Sequence, residues 1–197
     1  MLVVFSNNKG GTGKSTYSTI TAQIMASSGI EVVAVDLDHA QMHLSLFLRN
    51  LGAELNIPVY TSLKDLEDAN YALAVVDTPP AFSDETLAAL KRADVVVVPI
   101  NRDKTGILGL QEVASHINRN KIIVATSQWK MKTRFNADLY EQLEEFGWKG
   151  AINIPDNTQI IHNRDANRSW DYGISTKQAE PYLKLVKTIL RIGKEGK

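Results

Sequence analysis

The run Asn8-Lys9-Gly10-Gly11-Thr12-Gly13-Lys14-Ser15-Thr16 constrains this chain more than any other stretch. It follows an apolar segment with strand character, Leu2-Val3-Val4-Phe5, and precedes a helical stretch from Tyr17 to Ser28. A glycine-rich turn between strand and helix aims backbone N–H groups at one point, where the helix N-terminus adds partial positive charge. Lys14 supplies a mobile full charge and Ser15 a hydroxyl suited to a magnesium ion. The turn therefore reads as a phosphate cradle.

Apolar runs alternate with amphipathic stretches along nearly the whole sequence. The strand candidates are Leu2–Ser6, Glu31–Asp36, Pro58–Tyr60, Leu73–Asp77, Val95–Ile100, Ile122–Ala125 and Ala151–Ile154. They are rich in Val, Ile and Ala at consecutive positions, as strands covered on both faces are. The helix candidates between them are Ser15–Ser28, His43–Asn50, Ser62–Ala69, Asp84–Arg92, Thr105–Asn118, Asn136–Phe146 and Thr176–Ile192. Strand–helix alternation predicts right-handed crossovers and an α/β, doubly wound, mostly parallel sheet. No repeat or linker interrupts it, so residues 1–197 are expected to form one domain. The segment Asn163–Gly173 is polar and expected to be irregular, and Gly193–Lys197 to fray.

Two strands end in carboxylates. Val33-Ala34-Val35-Asp36-Leu37-Asp38 carries a pair at alternate positions. Asp36 and Asp38 are expected to have different roles, and either could instead cap the following helix. Leu73-Ala74-Val75-Val76-Asp77 runs into Thr78-Pro79-Pro80, whose prolines deny the exit a helix. In open α/β sheets, the carboxyl ends of strands face the ligand crevice. A cradle becomes a hydrolase only with a metal and a positioned water, and these carboxylates are placed to provide both.

The cradle lacks the glycine that the pattern G-x-x-x-x-G-K-[ST] requires at position 8 and has Lys9 before the Gly-Gly turn instead. The form K-G-G-x-G-K-[ST] resembles the deviant Walker A loop of the ParA/MinD family of SIMIBI-type P-loop ATPases. The resemblance implies that Lys9, Gly10, Gly11, Thr12, Gly13, Lys14, Ser15 and Thr16 bind ATP, with Lys9 reaching across a dimer interface to the partner's nucleotide. It makes Asp38 the residue that positions or activates the attacking water. Ser15, Asp36 and Asp77 would hold magnesium, and Thr78 would bond near the γ-phosphate. Lys14, Asp38 and Lys9 are thus the catalytic set.

The similarity extends along the chain. Ala93-Asp94-Val95-Val96-Val97-Val98-Pro99-Ile100, with Gly106 and Gly109-Leu110, looks like the family's A-D-x-V-x-x-P strand and the helix after it. Ile152-Asn153-Ile154-Pro155 resembles the late strand whose exit packs near the base, which places Pro155, Asp156 and Asn157 against adenine. Asn120-Lys121 is followed by Ile122-Ile123, so the guanine signature N-K-x-D is missing and ATP is expected over GTP. Asn7-Asn8 before Lys9 looks like the partition ATPases of the ParA type. A chain starting directly on its first strand resembles a small ParA without an N-terminal DNA-binding extension. Two positions depart from the family. His39-Ala40-Gln41 stands where many members have proline and glutamine, and His39 reads as an exposed loop residue. Asp156 stands where arginine, implicated in DNA binding, is frequent.

Composition bears on compartment and partners. There are no cysteines, which rules out disulfides, thiolate metal sites and cysteine nucleophiles. No apolar run is long enough to span a bilayer, and no secretory signal is evident, so a cytoplasmic protein is expected, nucleoid-associated if it binds DNA. Formal net charge is +0, so any nucleic-acid binding must come from local clustering. Arg164, Arg168, Lys184, Lys187 and Arg191 are the candidate DNA contacts, the last three at helical spacing. A solvated, dipole-favourable helix face explains them equally well. Lys130, Lys132 and Arg134 beside Trp129 form a second basic loop suited to a dimer or partner surface. The expected partners are a second copy in the ATP state, a ParB-like centromere-binding protein and nonspecific DNA. The alternative is a MinD-like switch recruiting a protein or membrane partner. The last helix's apolar face is expected to be core, which disfavours the membrane.

Overall fold

A computed structural model describes residues 1–50, 55–101, 105–126, 134–148, 150–155, 157–165 and 168–195; for residues 50, 105, 134–138, 161, 164 and 165 it describes the backbone only. Among the described residues seven strands form one sheet: β1 (Leu2–Phe5), β2 (Val32–Asp36), β3 (Val59–Tyr60), β4 (Leu73–Asp77), β5 (Val95–Ile100), β6 (Ile122–Thr126) and β7 (Ile152–Asn153). Their order is β3-β2-β4-β1-β5-β6-β7, and every pairing is parallel. The helices are α1 (Lys14–Ser27), α2 (His43–Asn50), α3 (Asp84–Arg92), α4 (Thr105–His116), α5 (Arg134–Glu145), α6 (Thr158–Asp165) and α7 (Thr176–Glu195).

β1, β2, β4, β5 and β6 are buried at every position, which explains their unbroken apolar sequence. Two cores result. One face of the sheet packs on α1, α2, α6 and α7 through residues such as Tyr17, Leu44, Ile160 and Leu185. The other packs on α3, α4 and α5 through Leu90, Leu110 and Leu143. Each such side chain contributes about 1.5–3 kcal/mol by leaving water.

Asp94, at the entry to β5, is structural. Its carboxylate accepts the Leu2 N–H at 2.7 Å, and its own N–H donates to the Leu2 carbonyl at 2.9 Å. The contact sits at the amino end of the sheet and fixes β5 against β1, far from the strand ends that carry the other aspartates.

The structure corrects three sequence expectations. The helix expected over Ser62–Ala69 is a short 3₁₀ turn, Leu63–Leu66. Ser62 and Asp65 close a capping box around it, and Leu63 and Leu66, three apart, are its buried residues, a spacing that matches 3₁₀ geometry. The segment Asn163–Gly173 is not simply irregular. It begins inside α6, and the buried Asn163 amide donates to the carbonyls of Trp170 at 3.0 Å and Tyr172 at 2.8 Å. The frayed end at Gly193 is instead helical, because α7 continues to Glu195 and Gly193 is buried where a Cβ would collide with the Met1 sulfur.

Candidate functional site

β1 ends at Phe5, and the chain turns through the glycine loop into α1. Gly11 (φ 71°) and Gly13 (φ 101°) hold left-handed conformations that cost other residues about 1–2 kcal/mol. Gly13 is the N-cap of α1 and carries no side-chain cap, so the first turn leaves its N–H groups for a ligand. The front of the loop is fixed by Asn7, whose amide donates to the Pro99 carbonyl at 2.8 Å and whose oxygen accepts the Lys9 N–H at 3.1 Å. Asn8 donates to Glu112 of α4. Gly109 makes this approach possible, because a Cβ there would collide with the side-chain oxygens of Asn7 and Asn8.

A cavity of about 300 Å³ opens over the loop. Residues 10 to 17 form its floor. Asp38, Gln41, His43 and Pro80 line the side belonging to β2 and β4, and Pro155, Asn157, Ile160 and Tyr182 the side belonging to β7, α6 and α7. This division follows from the sheet order, in which β1 lies between the two groups.

Lys14 is 6% exposed, and its Nζ donates to the Lys9 carbonyl at 3.0 Å. Burial lowers its pKa, while Asp77 and Asp38 pull it back up. Asp77 is fully buried, and among the described residues neither of its carboxylate oxygens has a hydrogen-bond partner of normal geometry, the Ser15 hydroxyl being the nearest donor. Desolvation pushes its pKa up to about 8. The nearby Ser15 hydroxyl and Lys14 oppose that rise, while the charges of Asp36 and Asp38 add to it. An orphaned carboxylate of this kind costs several kcal/mol unless a proton or cation joins it. Asp77 with Ser15 therefore fits a magnesium ion, which takes few protein oxygens and keeps waters.

Asp36 and Asp38 make different contacts. Asp36 lies in register with Asp77, yet its oxygens accept backbone N–H groups, from Asp38 at 3.2 Å and from Ser45 in the first turn of α2 at 2.8 Å. It ties the strand end to the next helix, as the capping alternative describes. Asp38 faces the cavity, 7% exposed, with Oδ1 accepting the Gln41 N–H at 3.2 Å. Its carbonyl accepts Gln41 N–H at 3.1 Å and Met42 N–H at 2.8 Å. The turn closes with Met42 at φ 51°, a strained conformation for a side chain of its kind. His39 is exposed and pairs with Glu85 of α3 at 3.3 Å. Thr78 is buried and donates its hydroxyl to the Phe5 carbonyl at 3.0 Å, joining the end of β4 to β1.

The model of the MipZ ATPase family matches residues 1–57. A carboxysome distribution protein A of Gloeobacter kilaueensis is 34% identical over 106 residues, 50% of this chain and 48% of that one. The chromosome-partitioning ATPase Soj of Thermus thermophilus is 27% identical over 158 residues, 59% of this chain and 64% of that one. The chain thus spans about half to two thirds of the length of these relatives. The septum site-determining protein MinD of Pyrococcus horikoshii, complexed with Mg-ADP, superposes with a TM-score of 0.74 at 15% identity, covering 100% of this chain and 98% of the other. The chain thus shares the fold of the Pyrococcus MinD, and its first 57 residues are similar in sequence to the MipZ ATPase family.

The residues that carry the resemblance to the ParA/MinD family fall unevenly on the structure. Residues 10 to 16, Asp38, Pro155 and Asn157 meet at the cavity, and Asp77 lies buried close to Lys14 and Ser15. Lys9 does not line the cavity, and its backbone supplies the carbonyl that Lys14 holds. Asp156, Trp129, Lys130 and Lys132, and the side chains of Arg134 and Arg164, lie outside the described residues. Lys184, Lys187 and Arg191 share the exposed side of α7, where Arg191 pairs with Glu195 at 3.4 Å. Arg168 is exposed, with its guanidinium 4.7 Å over the ring of Tyr172. Sequence reasoning missed Gln41, His43, Ile160 and Tyr182 at the cavity. Tyr182 shows in the sequence only as part of an apolar helix stripe, a pattern that does not tell a cavity wall from a core.

Proposed function

We propose that this chain is a magnesium-dependent ATP hydrolase of the ParA type. In this reading its ATP state is a homodimer that binds DNA without sequence preference, and a ParB-like centromere-binding partner stimulates hydrolysis. The protein acts in the cytoplasm, at the nucleoid. The observation that carries the reading is a buried, unpartnered carboxylate, Asp77, behind a lysine-bearing cradle that also faces Asp38. The Mg-ADP bound to the Pyrococcus MinD and the name of the Thermus partitioning ATPase support it.

Lys14 exchanges its contact with the Lys9 carbonyl for phosphate oxygens when ATP enters, and its dry surroundings strengthen that attraction. The free N–H groups at the start of α1 hold the remaining phosphate oxygens. Ser15 and Asp77 would hold a magnesium ion, which would neutralise phosphate charge. Asp36 keeps the loop in place through its two backbone contacts. Asp38 spends one oxygen partly on Gln41 N–H and presents the other to the attacking water. Positioning and electrostatics dominate such a reaction. Lys9 acts in the partner's site, and its position outside the cavity lining agrees with that role.

Sedimentation with saturating ATP tests the reading. Asp38→Ala should bind nucleotide and accumulate as a dimer that turns over slowly, and a monomeric Asp38→Ala protein would refute the assignment. Lys9→Ala should bind nucleotide normally and dimerise or turn over abnormally. DNA binding is measured with random duplex across a salt series, using charge reversals at Lys184, Lys187 and Arg191. A second reading, a switch that recruits a protein without DNA, is favoured by the zero net charge and the Arg191–Glu195 pair. Absence of ATP-dependent binding at low salt would select it. A membrane partner is disfavoured by α7, whose apolar residues Tyr182, Leu185, Val186 and Ile189 are buried in the core; among the described residues no helix is long and apolar enough to cross a membrane.

A further inference from the structure

α7 supplies a wall of the nucleotide cavity. α1 packs between α2 and α7, and its first turn carries the cradle. Tyr182 of α7 reaches the cavity from the side away from Asp38, together with Ile160. Its ring lies edge-on to Tyr17 of α1, with centroids 6.2 Å apart at 69°, and tilted against Trp170, 5.7 Å away at 53°. Tyr17 in turn lies so close to Gly13 that a Cβ added there would sit 3.4 Å from the ring. The aromatic series Tyr17–Tyr182–Trp170 therefore runs from the cradle to the far wall. Phosphates occupy the floor and the Asp38 side, so the heterocyclic base of a nucleotide is left facing Tyr182 and Ile160.

Asn157 adds a polar edge. It precedes α6, and its side-chain oxygen accepts the Gln159 N–H at 3.0 Å. The oxygen is thereby committed to the helix end, which leaves the NH₂ group as the part of Asn157 to meet a ligand. A base at this wall must offer an acceptor there, as the ring nitrogens of a purine do.

We propose that Tyr182 is a base-contacting residue: its ring, with Ile160, forms the apolar wall against which the purine packs, while Asn157 donates to the purine edge. The proposal rests on the ATP reading of the same cavity. It makes the last helix part of nucleotide recognition, a role that the sequence pattern assigns to the core alone.

The test compares two probes, ATP and inorganic tripolyphosphate, by calorimetry on the full chain. Wild type should bind ATP at least about tenfold more tightly than tripolyphosphate, since base–aromatic contact is worth about that factor. Tyr182→Leu should weaken ATP about tenfold and leave tripolyphosphate within about twofold; Tyr182→Phe, which retains the ring, should bind both as wild type does. Trp170, beside Tyr182, should change its fluorescence on adding ATP but not on adding tripolyphosphate, a readout that needs no variant to fold. Equal wild-type affinities for the two probes would overturn the proposal, as would equal weakening of both in Tyr182→Leu. Failure of wild type to bind either probe would instead overturn the ATP reading itself.

Discussion

The two ends of the cavity are built in opposite ways. The phosphate end is made from consecutive residues, 10 to 17, joined by single aspartates at two strand ends. Its parts are ionisable, buried and costly: Lys14 is nearly dry, and among the described residues the Asp77 oxygens have no hydrogen-bond partner of normal geometry. The base end is assembled from two segments, Pro155, Asn157 and Ile160 at the exit of β7 and the start of α6, and Tyr182 of α7. Its parts are apolar or neutral, and each is satisfied by its own helix or ring neighbours. Strong, short-range chemistry needs fixed spacing along the chain; weak contact with a flat ring needs only a surface, which many sequences can provide.

This contrast predicts how substitutions should divide. The largest effect belongs to Asp38→Ala, whose turnover should fall by about 10³-fold while ATP affinity stays within about threefold, measured by steady-state hydrolysis and calorimetry. Lys14→Ala should weaken ATP and tripolyphosphate alike, by about 100-fold, the size of a lost charge-assisted contact. If Lys14→Ala spared tripolyphosphate, the two ends would not be separable.

Asp77→Asn should abolish magnesium-dependent hydrolysis yet stabilise the nucleotide-free protein. The pKa of Asp77 is raised to about 8 in the folded protein from 3.8. Between about pH 4 and pH 8 the folded chain therefore binds the extra proton, and its stability falls as pH rises through that window. Asp77→Asn should remove this slope and raise the melting temperature near pH 8 by about 5 °C, read by thermal melts across pH. An unchanged slope would show that the carboxylate is compensated in solution.

The base end should respond more gently. Asn157→Ala should cost about fivefold in ATP affinity and spare tripolyphosphate, measured as before. The smallest effect is expected at Met42→Gly, which relieves the left-handed backbone and should stabilise the fold by about 1 kcal/mol in chemical denaturation.

The same contrast decides what the sequence discloses. The glycine loop, Asp38 and Asp77 are legible because positive φ, a mobile cation and a strand-terminal carboxylate leave few substitutes. The sheet is legible because its strands are buried on both faces and so lack alternation. Asp36 is ambiguous from spacing, since a carboxylate closing a strand's apolar run serves a metal or a helix amide equally; the structure shows its contact with the Ser45 amide. α6 escapes notice because its sequence, Thr-Gln-Ile-Ile-His-Asn-Arg-Asp, is short and polar, and its anchoring depends on Asn163 reaching Trp170 and Tyr172 across a turn. Tyr182 is hidden by its own packing.

The contact at Gly109 has a mechanical side. Because α4 lies against Asn7 and Asn8 with no space for a methyl group, helix and glycine loop have no slack between them. A side chain added at Gly109 should therefore displace Asn7 and Asn8 and, through the Asn7 oxygen that accepts the Lys9 N–H, the start of the glycine loop.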